Sequence, residues 1–259
     1  MTARAQAPGE VVALAITPPI ATDTLRVRAF KRDILAARID TRTWQAIVGI
    51  DLDVAPGTHP VQITARSGAG DVSTSHLLTV KAKTFRTRNL TVDPAYVEPP
   101  PETLARIRRE AALQRRLWDN PTPERLWSGA FIAPVAEQAN SAFGSRSVFN
   151  GVPRSPHSGA DFPSPTGTPI KAPNSGKVVL AQELYFSGNE VVIDHGQGLL
   201  SVFAHLSSFA VTVGSSVSTG ETVGHVGATG RVTGPHLHWT VRASGARVDP
   251  LSLLEVLGR

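Results

Sequence analysis

The chain has 259 residues and a formal net charge of +5; 41% of it is hydrophobic, only 18% is charged, and it holds 22 glycines, 20 prolines and no cysteine. That length suits one large domain or two small ones, and many turn-formers with few charges favour short strands over long helices. Without thiols, a disulfide scaffold, a thiolate metal site and a cysteine nucleophile are excluded, so any transition metal has to be held by imidazole and carboxylate.

The basic balance favours a polyanionic partner, such as nucleic acid, anionic lipid or an acidic wall polymer. No nucleic-acid module accompanies the charge, so nucleic acid is not expected as a partner. The opening residues, MTARAQAPGE, lack the apolar segment of a signal peptide. No apolar run approaches the roughly 18 residues of a membrane span.

Residues 1–9 are expected to be a disordered N-terminus. Over 10–83 the segments EVVALAI (10–16), TLRVRAF (24–30), WQAIVGIDL (44–52), HPVQITARS (59–67) and VSTSHLLTVKA (72–82) are rich in Val, Ile and Thr. Turn signals such as Thr17-Pro18-Pro19 and Ala55-Pro56-Gly57 separate them, which predicts a small Ig-like β-sandwich acting as an accessory domain. Its histidines, His59 and His76, are read as ordinary strand or loop residues.

Residues 84–127 read as a linker. Val97-Glu98-Pro99-Pro100-Pro101 should be extended, and 101–119 is an amphipathic helix with Leu104, Ile107, Ala111 and Trp118 near one stripe. Its arginines, Arg106, Arg108, Arg109, Arg115 and Arg116, are read as a solvated face. From 128 to 259 strands return, alternating with glycine-rich turns. No helical stretch of crossover length interrupts them, so an antiparallel β-domain is expected. Six of the eight histidines lie in this half.

Four pieces there carry chemistry. His157 and Asp161 are four apart, but Pro153, Pro156, Gly159 and Pro163 make this a loop entering a strand. His205 ends an apolar strand, where alternation puts Val202 and Ala204 on one face and Phe203 and His205 on the other. His236 and His238 share a strand face, so both imidazoles reach one small site as two ligands, or as one ligand and one neighbour. Ahead of them, Gly224 to Pro235 holds four glycines, a loop that comes close to something. It is not a phosphate loop, because no Gly-Lys-Ser/Thr closes it. Three protein ligands and an open fourth position are the catalytic zinc pattern, and spare histidines can serve as base and oxyanion stabiliser. His-Glu-x-x-His is absent, which excludes the helix-borne protease design. His195 and His225 are read as surface residues.

His157-x-x-x-Asp161, Phe203-Ala-His205-Leu and His236-Leu-His238 together resemble the lysostaphin/LytM-type zinc metalloendopeptidases, which cut peptidoglycan. The flanks agree: Asn150-Gly-Val-Pro-Arg-Ser-Pro-His157, Gly167-Thr-Pro-Ile-Lys-Ala-Pro173, Val191-Val-Ile-Asp-His-Gly196 and Arg247-Val-Asp-Pro250. The resemblance covers about residues 145–254. It implies Zn2+ held by His157, Asp161 and His238, with His236 as general base and His205 orienting or stabilising the oxyanion. It implies an antiparallel sheet with an open groove, walled by loops 183–189 and 227–235. Asn189, Phe203, Thr229 and Gly230 are then the substrate-groove candidates.

The function so implied is hydrolysis of peptide cross-links in the cell wall. The alternative is a non-catalytic wall-binding or amidase-activating module of the same family. Peptidoglycan is the expected partner, with envelope division or cell-shape proteins as further ones. The expected location is the periplasm or cell envelope after export, with the signal peptide lying outside this sequence. Two departures stand out. Phe203 occupies a position where such enzymes often carry Tyr, and Thr240 one where they often carry Glu.

Overall fold

The computed structural model describes residues 1–259 apart from 69, 92–96, 98, 141, 142, 154 and 259. Strands β1 (Thr2–Ala3), β2 (Val11–Ile16), β3 (Thr24–Ala29), β4 (Arg32–Arg38), β5 (Trp44–Gly49), β6 (Gly57–Ser67) and β7 (Gly70–Val80) form one antiparallel sheet, ordered β1-β2-β5-β4-β3-β6-β7. The sheet curls so that Leu14, Val27, Trp44, Val48, Val61 and Leu78 share one buried core. Alternation explains this: β3 reads exposed-buried along TLRVRA, so one face of each strand supplies the core.

Two features of this half differ from expectation. Strand β4 follows a tight turn at Phe30 and Lys31, both at positive φ (51° and 62°). Paired positive φ values are the mark of a type I′ hairpin, and no Gly or Asn was there to announce it. Residues 1–9 are not free: Thr2 and Ala3 pair with β2, and Arg4 bonds Glu10 and Asp249.

Strand β8 (Thr87–Leu90) leads towards helix α1 (Pro101–Asp119), and then joins β9 (Arg146–Phe149) and β10 (Val152–Pro153) in a small sheet. Pro100, at φ −53° and ψ 144°, is extended before the helix begins, as a proline-rich approach dictates. The C-terminal half contains β11 (Gly159–Phe162), β12 (Pro169–Lys171), β13 (Gly176–Leu184), β14 (Gly188–Asp194), β15 (Leu199–Phe209), β16 (Ser216–Val217), β17 (Thr222–Val226), β18 (Leu237–Ala243), β19 (Ala246–Val248) and helix α2 (Pro250–Leu257). These strands make a nine-stranded sheet along β11-β18-β15-β14-β13-β16, with β12, β17 and β19 paired off that path.

Both faces of this sheet are covered. Val191, Ile193, Phe203, Trp239 and Val241 point into the main core. Leu180, Leu184, Val192, Leu200 and Val202 point the other way, against Leu113, Leu117 and Trp118 of α1. The helix stripe is therefore rotated from the one expected: Leu104 is exposed, and Glu110 and Gln114 face the sheet. Polar groups take the packed face because they have partners there. Glu110 accepts from the Tyr185 backbone N–H at 2.8 Å, and Gln114 donates to Glu190 at 2.8 Å. Arg106 is not merely solvated either, since it pairs with Glu110 and Glu183.

The two halves are joined rather than tethered. Val11, Ala13 and Ile47 of the first sheet belong to the core of the second. Gly49 lies so close that a Cβ there would sit 2.8 Å from Ala246 Cβ and 2.9 Å from Val248 Cγ1. The Val11 N–H donates to Ser252 Oγ at 3.0 Å, and Arg247 pairs with Asp51 at 2.5 Å.

Candidate active site

Strand pairing builds the site. In the antiparallel β11–β18 ladder, Asp161 stands opposite His238, and opposed residues project onto the same face. The His238 Nδ1 is 2.8 Å from Asp161 Oδ1. His157, just before β11, brings its Nε2 within 3.1 Å of the same oxygen. One ligand atom from each of His157, Asp161 and His238 lies within 4.8 Å of the others. Gly159 makes room: a Cβ on it would be 2.7 Å from Cε1 of His238 and 2.8 Å from its Nε2.

The donor set fits a divalent cation of borderline softness, with two imidazoles, one carboxylate and no thiolate. His157 Nε2 and His238 Nδ1 both face Asp161 Oδ1, so one nitrogen of each ring and the carboxylate converge on one point. Burial by itself would raise the Asp161 carboxyl, but hydrogen bonds from His157 and His238, and their charge, hold it far below the usual carboxylate range.

His205 arrives by a different device. In the β14–β15 ladder Asn189 pairs with Leu206 but Val191 pairs with Phe203, so β15 carries one extra residue at this point. His205 itself is at φ +69°. Such a bulge bends the strand and re-aims a side chain. Phe203 and Leu206 go to the core, while His205 turns out towards His238 and His236, with ring centroids 5.9 Å and 5.0 Å away. The alternation expected from sequence, which put Phe203 and His205 on one face, is corrected by this bulge.

Residues 155–250 match the model of peptidase family M23. The solved structure of a putative peptidase M23 from Pseudomonas aeruginosa is 35% identical to this chain, with a TM-score of 0.77 over 97% of this chain and 96% of that one. The chain belongs to peptidase family M23. Over 96 residues the M23 chain is 43% identical to the peptidoglycan DD-endopeptidase ShyA of Vibrio cholerae, which is 37% of this chain and 22% of that protein. Over 97 residues it is 42% identical to the DD-carboxypeptidase/endopeptidase Mpg of Neisseria meningitidis, 38% of this chain and 22% of that protein. The chain thus spans under a quarter of the length of these curated relatives.

In this M23 site the two remaining histidines are oriented by backbone. His205 Nδ1 donates to the Thr229 carbonyl at 2.9 Å, and His236 Nδ1 to the Gly234 carbonyl at 2.9 Å. A ring so bonded, in its neutral form, presents an unprotonated Nε2, and that of His236 lies 3.8 Å from Asp161 Oδ1. Burial, reinforced by the neighbouring His238, pushes His205 down to about 3, so it rests neutral. Burial also lowers His238.

The groove candidates fare differently. Phe203 is fully buried and stacked on Trp239, 6.5 Å between centroids, so it is a core residue and not a groove one. Asn189 and Thr229 spend their described bonds on the protein: Asn189 Nδ2 and Thr229 Oγ1 both donate to the Leu206 carbonyl, at 3.0 and 2.9 Å. A Cβ on Gly230 would meet the Gly188 backbone N at 2.3 Å, so the two groove loops pack directly on one another. Arg231 strengthens that contact, its guanidinium lying 5.1 Å from the Phe149 ring and 4.7 Å from the Phe186 ring. No spacing signal marked Arg231 or the Thr229 carbonyl.

His195 is the other correction. Expected at the surface, it is fully buried, with Nδ1 on the Ser175 carbonyl at 2.8 Å and Nε2 on Ser201 Oγ at 2.9 Å. Burial lowers it to about 4. It sits apart from the cluster as a satisfied structural histidine, and Phe131 packs edge-on against it.

Proposed function

We propose that this M23 chain is a zinc-dependent endopeptidase that hydrolyses peptide cross-links of peptidoglycan, acting outside the cytoplasm. The observation that carries the reading is the opposed Asp161–His238 pair joined by His157, with His205 and His236 beside it. Peptidoglycan as substrate is supported by the names of the relatives matched over the same segment. No helix among the described residues is long and apolar enough to cross a membrane.

His157, Asp161 and His238 would hold the zinc, with His238 using Nδ1. Zinc, when bound, supplies a Lewis acid that polarises the scissile carbonyl and makes water more acidic. His236, with Nδ1–H tied to Gly234, offers Nε2 to take the proton of the attacking water. His205 begins neutral. With Nδ1–H committed to Thr229, its Nε2 is an acceptor that would hold and orient the attacking water for His236. Thr229 fixes the ring for this task.

The test is digestion of purified sacculi followed by separation of the released muropeptides, with His236→Ala alongside. The expected result is loss of cross-linked dimers with the natural chain and not with the variant. Unchanged cross-links after treatment with zinc-loaded protein would overturn the reading and leave a wall-binding module in its place.

A further inference from the structure

The nitrogen of His238 that faces away from Asp161 is not idle. Its Nε2 lies 3.0 Å from Thr240 Oγ1. Residues 238 and 240 share a face of β18, and Thr240 stands opposite Gly159, which has no side chain to intervene. Thr240 is 6% exposed, so water is a poor substitute for its hydroxyl. We propose that Thr240 is a positioning residue for His238, its hydroxyl satisfying the ring in either tautomer.

The chemistry is simple bookkeeping of protons. With no cation bound, Nδ1–H donates to Asp161, and Nε2 must accept from the Thr240 hydroxyl. When Nδ1 gives its lone pair to a cation, the proton sits on Nε2 and donates to Thr240 Oγ1. A hydroxyl serves both states by rotating about its C–O bond. A carboxylate only accepts while ionised, and valine does neither. Thr240 thus lets His238 exchange a proton-mediated contact with Asp161 for a ligand bond while no buried nitrogen is left unpaired. This rests on the reading that His157, Asp161 and His238 hold a cation.

The experiment compares the natural chain with Thr240→Val and Thr240→Ser. Zinc affinity is measured by competition with a chromophoric chelator. In metal-free protein, nitrogen-15 shifts of the His238 ring report its tautomer and the hydrogen bond at Nε2. The expected result is affinity about 10–100-fold weaker in the valine variant and near natural in the serine one. The metal-free ring should be Nδ1–H in all three chains, held by Asp161, while the Nε2 shift moves to that of a nitrogen with no hydrogen-bond donor in the valine variant and stays natural in the serine one. Valine affinity within twofold of the natural chain, or an unchanged metal-free Nε2 shift in that variant, overturns the proposal. A natural chain that binds no zinc fails the cation reading instead, and the metal-free shifts still decide for or against Thr240.

Discussion

The two ends of β18 use carboxylates in opposite ways. At the His238 end, Asp161 is surrounded by imidazoles, partners that can be neutral and can give up a contact to a cation. At the Ala243 end, where β19 and α2 follow, Asp51 and Asp249 are held by Arg247 and Arg4, whose charge is permanent. The first arrangement is exchangeable and lies at the candidate site. The second is closed and joins the two halves of the molecule. A buried carboxylate therefore identifies a site or a joint by the proton chemistry of its partner, not by burial.

The contrast breaks most sharply at Asp161. Asp161→Ala should retain no cation after dialysis, measured by elemental analysis, and show no turnover of muropeptide dimers. His236→Ala should keep the cation and lose about 10²–10⁴-fold in turnover. Compared in the metal-free form, both variants should melt close to the natural chain. If either unfolds as readily as a joint variant, the division between the two ends is wrong.

At the joint the expected effect is on stability. Arg247→Ala leaves the largely buried Asp51 with Arg32, at 3.7 Å, and backbone N–H donors, and should cost about 1–3 kcal/mol, seen as a melting point lower by roughly 2–12 °C. Turnover at a temperature where the variant is folded should be unchanged. Gly49→Val forces atoms into Ala246 and Val248 and should cost about 1–3 kcal/mol by overpacking. A neutral Gly49→Val melting curve would mean the halves are free to separate.

The smallest effect is on pH. Burial would raise Asp51 and Glu10, but hydrogen bonds from Arg247, and from Arg4 and Lys83, bring both below their ordinary values. A carboxyl lowered on folding adds stability above the ordinary carboxylate range, and that stability is lost as pH falls through the folded value. Urea unfolding from pH 7 to pH 3 should show this decline, and Arg247→Ala should flatten it. Equal slopes in both chains would remove the ion pairs from the account.

Much of the site was legible before any coordinates. His157–Asp161 and His236–His238 stand at spacings that a loop and a strand can turn towards one point, and the resemblance to the zinc endopeptidases joined them with His205 into one set. What was not legible depends on packing. The burial of His195 follows from Ser175 and Ser201 meeting its two nitrogens, and nothing local to Asp194-His195-Gly196 announces either contact. The rotated face of α1 follows from where Tyr185 and Glu190 offer bonds to Glu110 and Gln114. Phe203 was expected in the groove from the resemblance, and a strict two-residue period that set it on the face of His205 agreed with that, but the strand breaks the period between the two residues.

That break has a consequence for how activity can be lost. Along β15 the extra residue at Ala204–His205 acts as a change of phase: positions before it are read in one beat and positions after it in the other. Removing one residue there would restore the beat across the whole strand. His205 would then compete with Leu206 for a place in the core, while every histidine and aspartate remained in the chain. A change in length, invisible to any inventory of site residues, would be enough to silence the site.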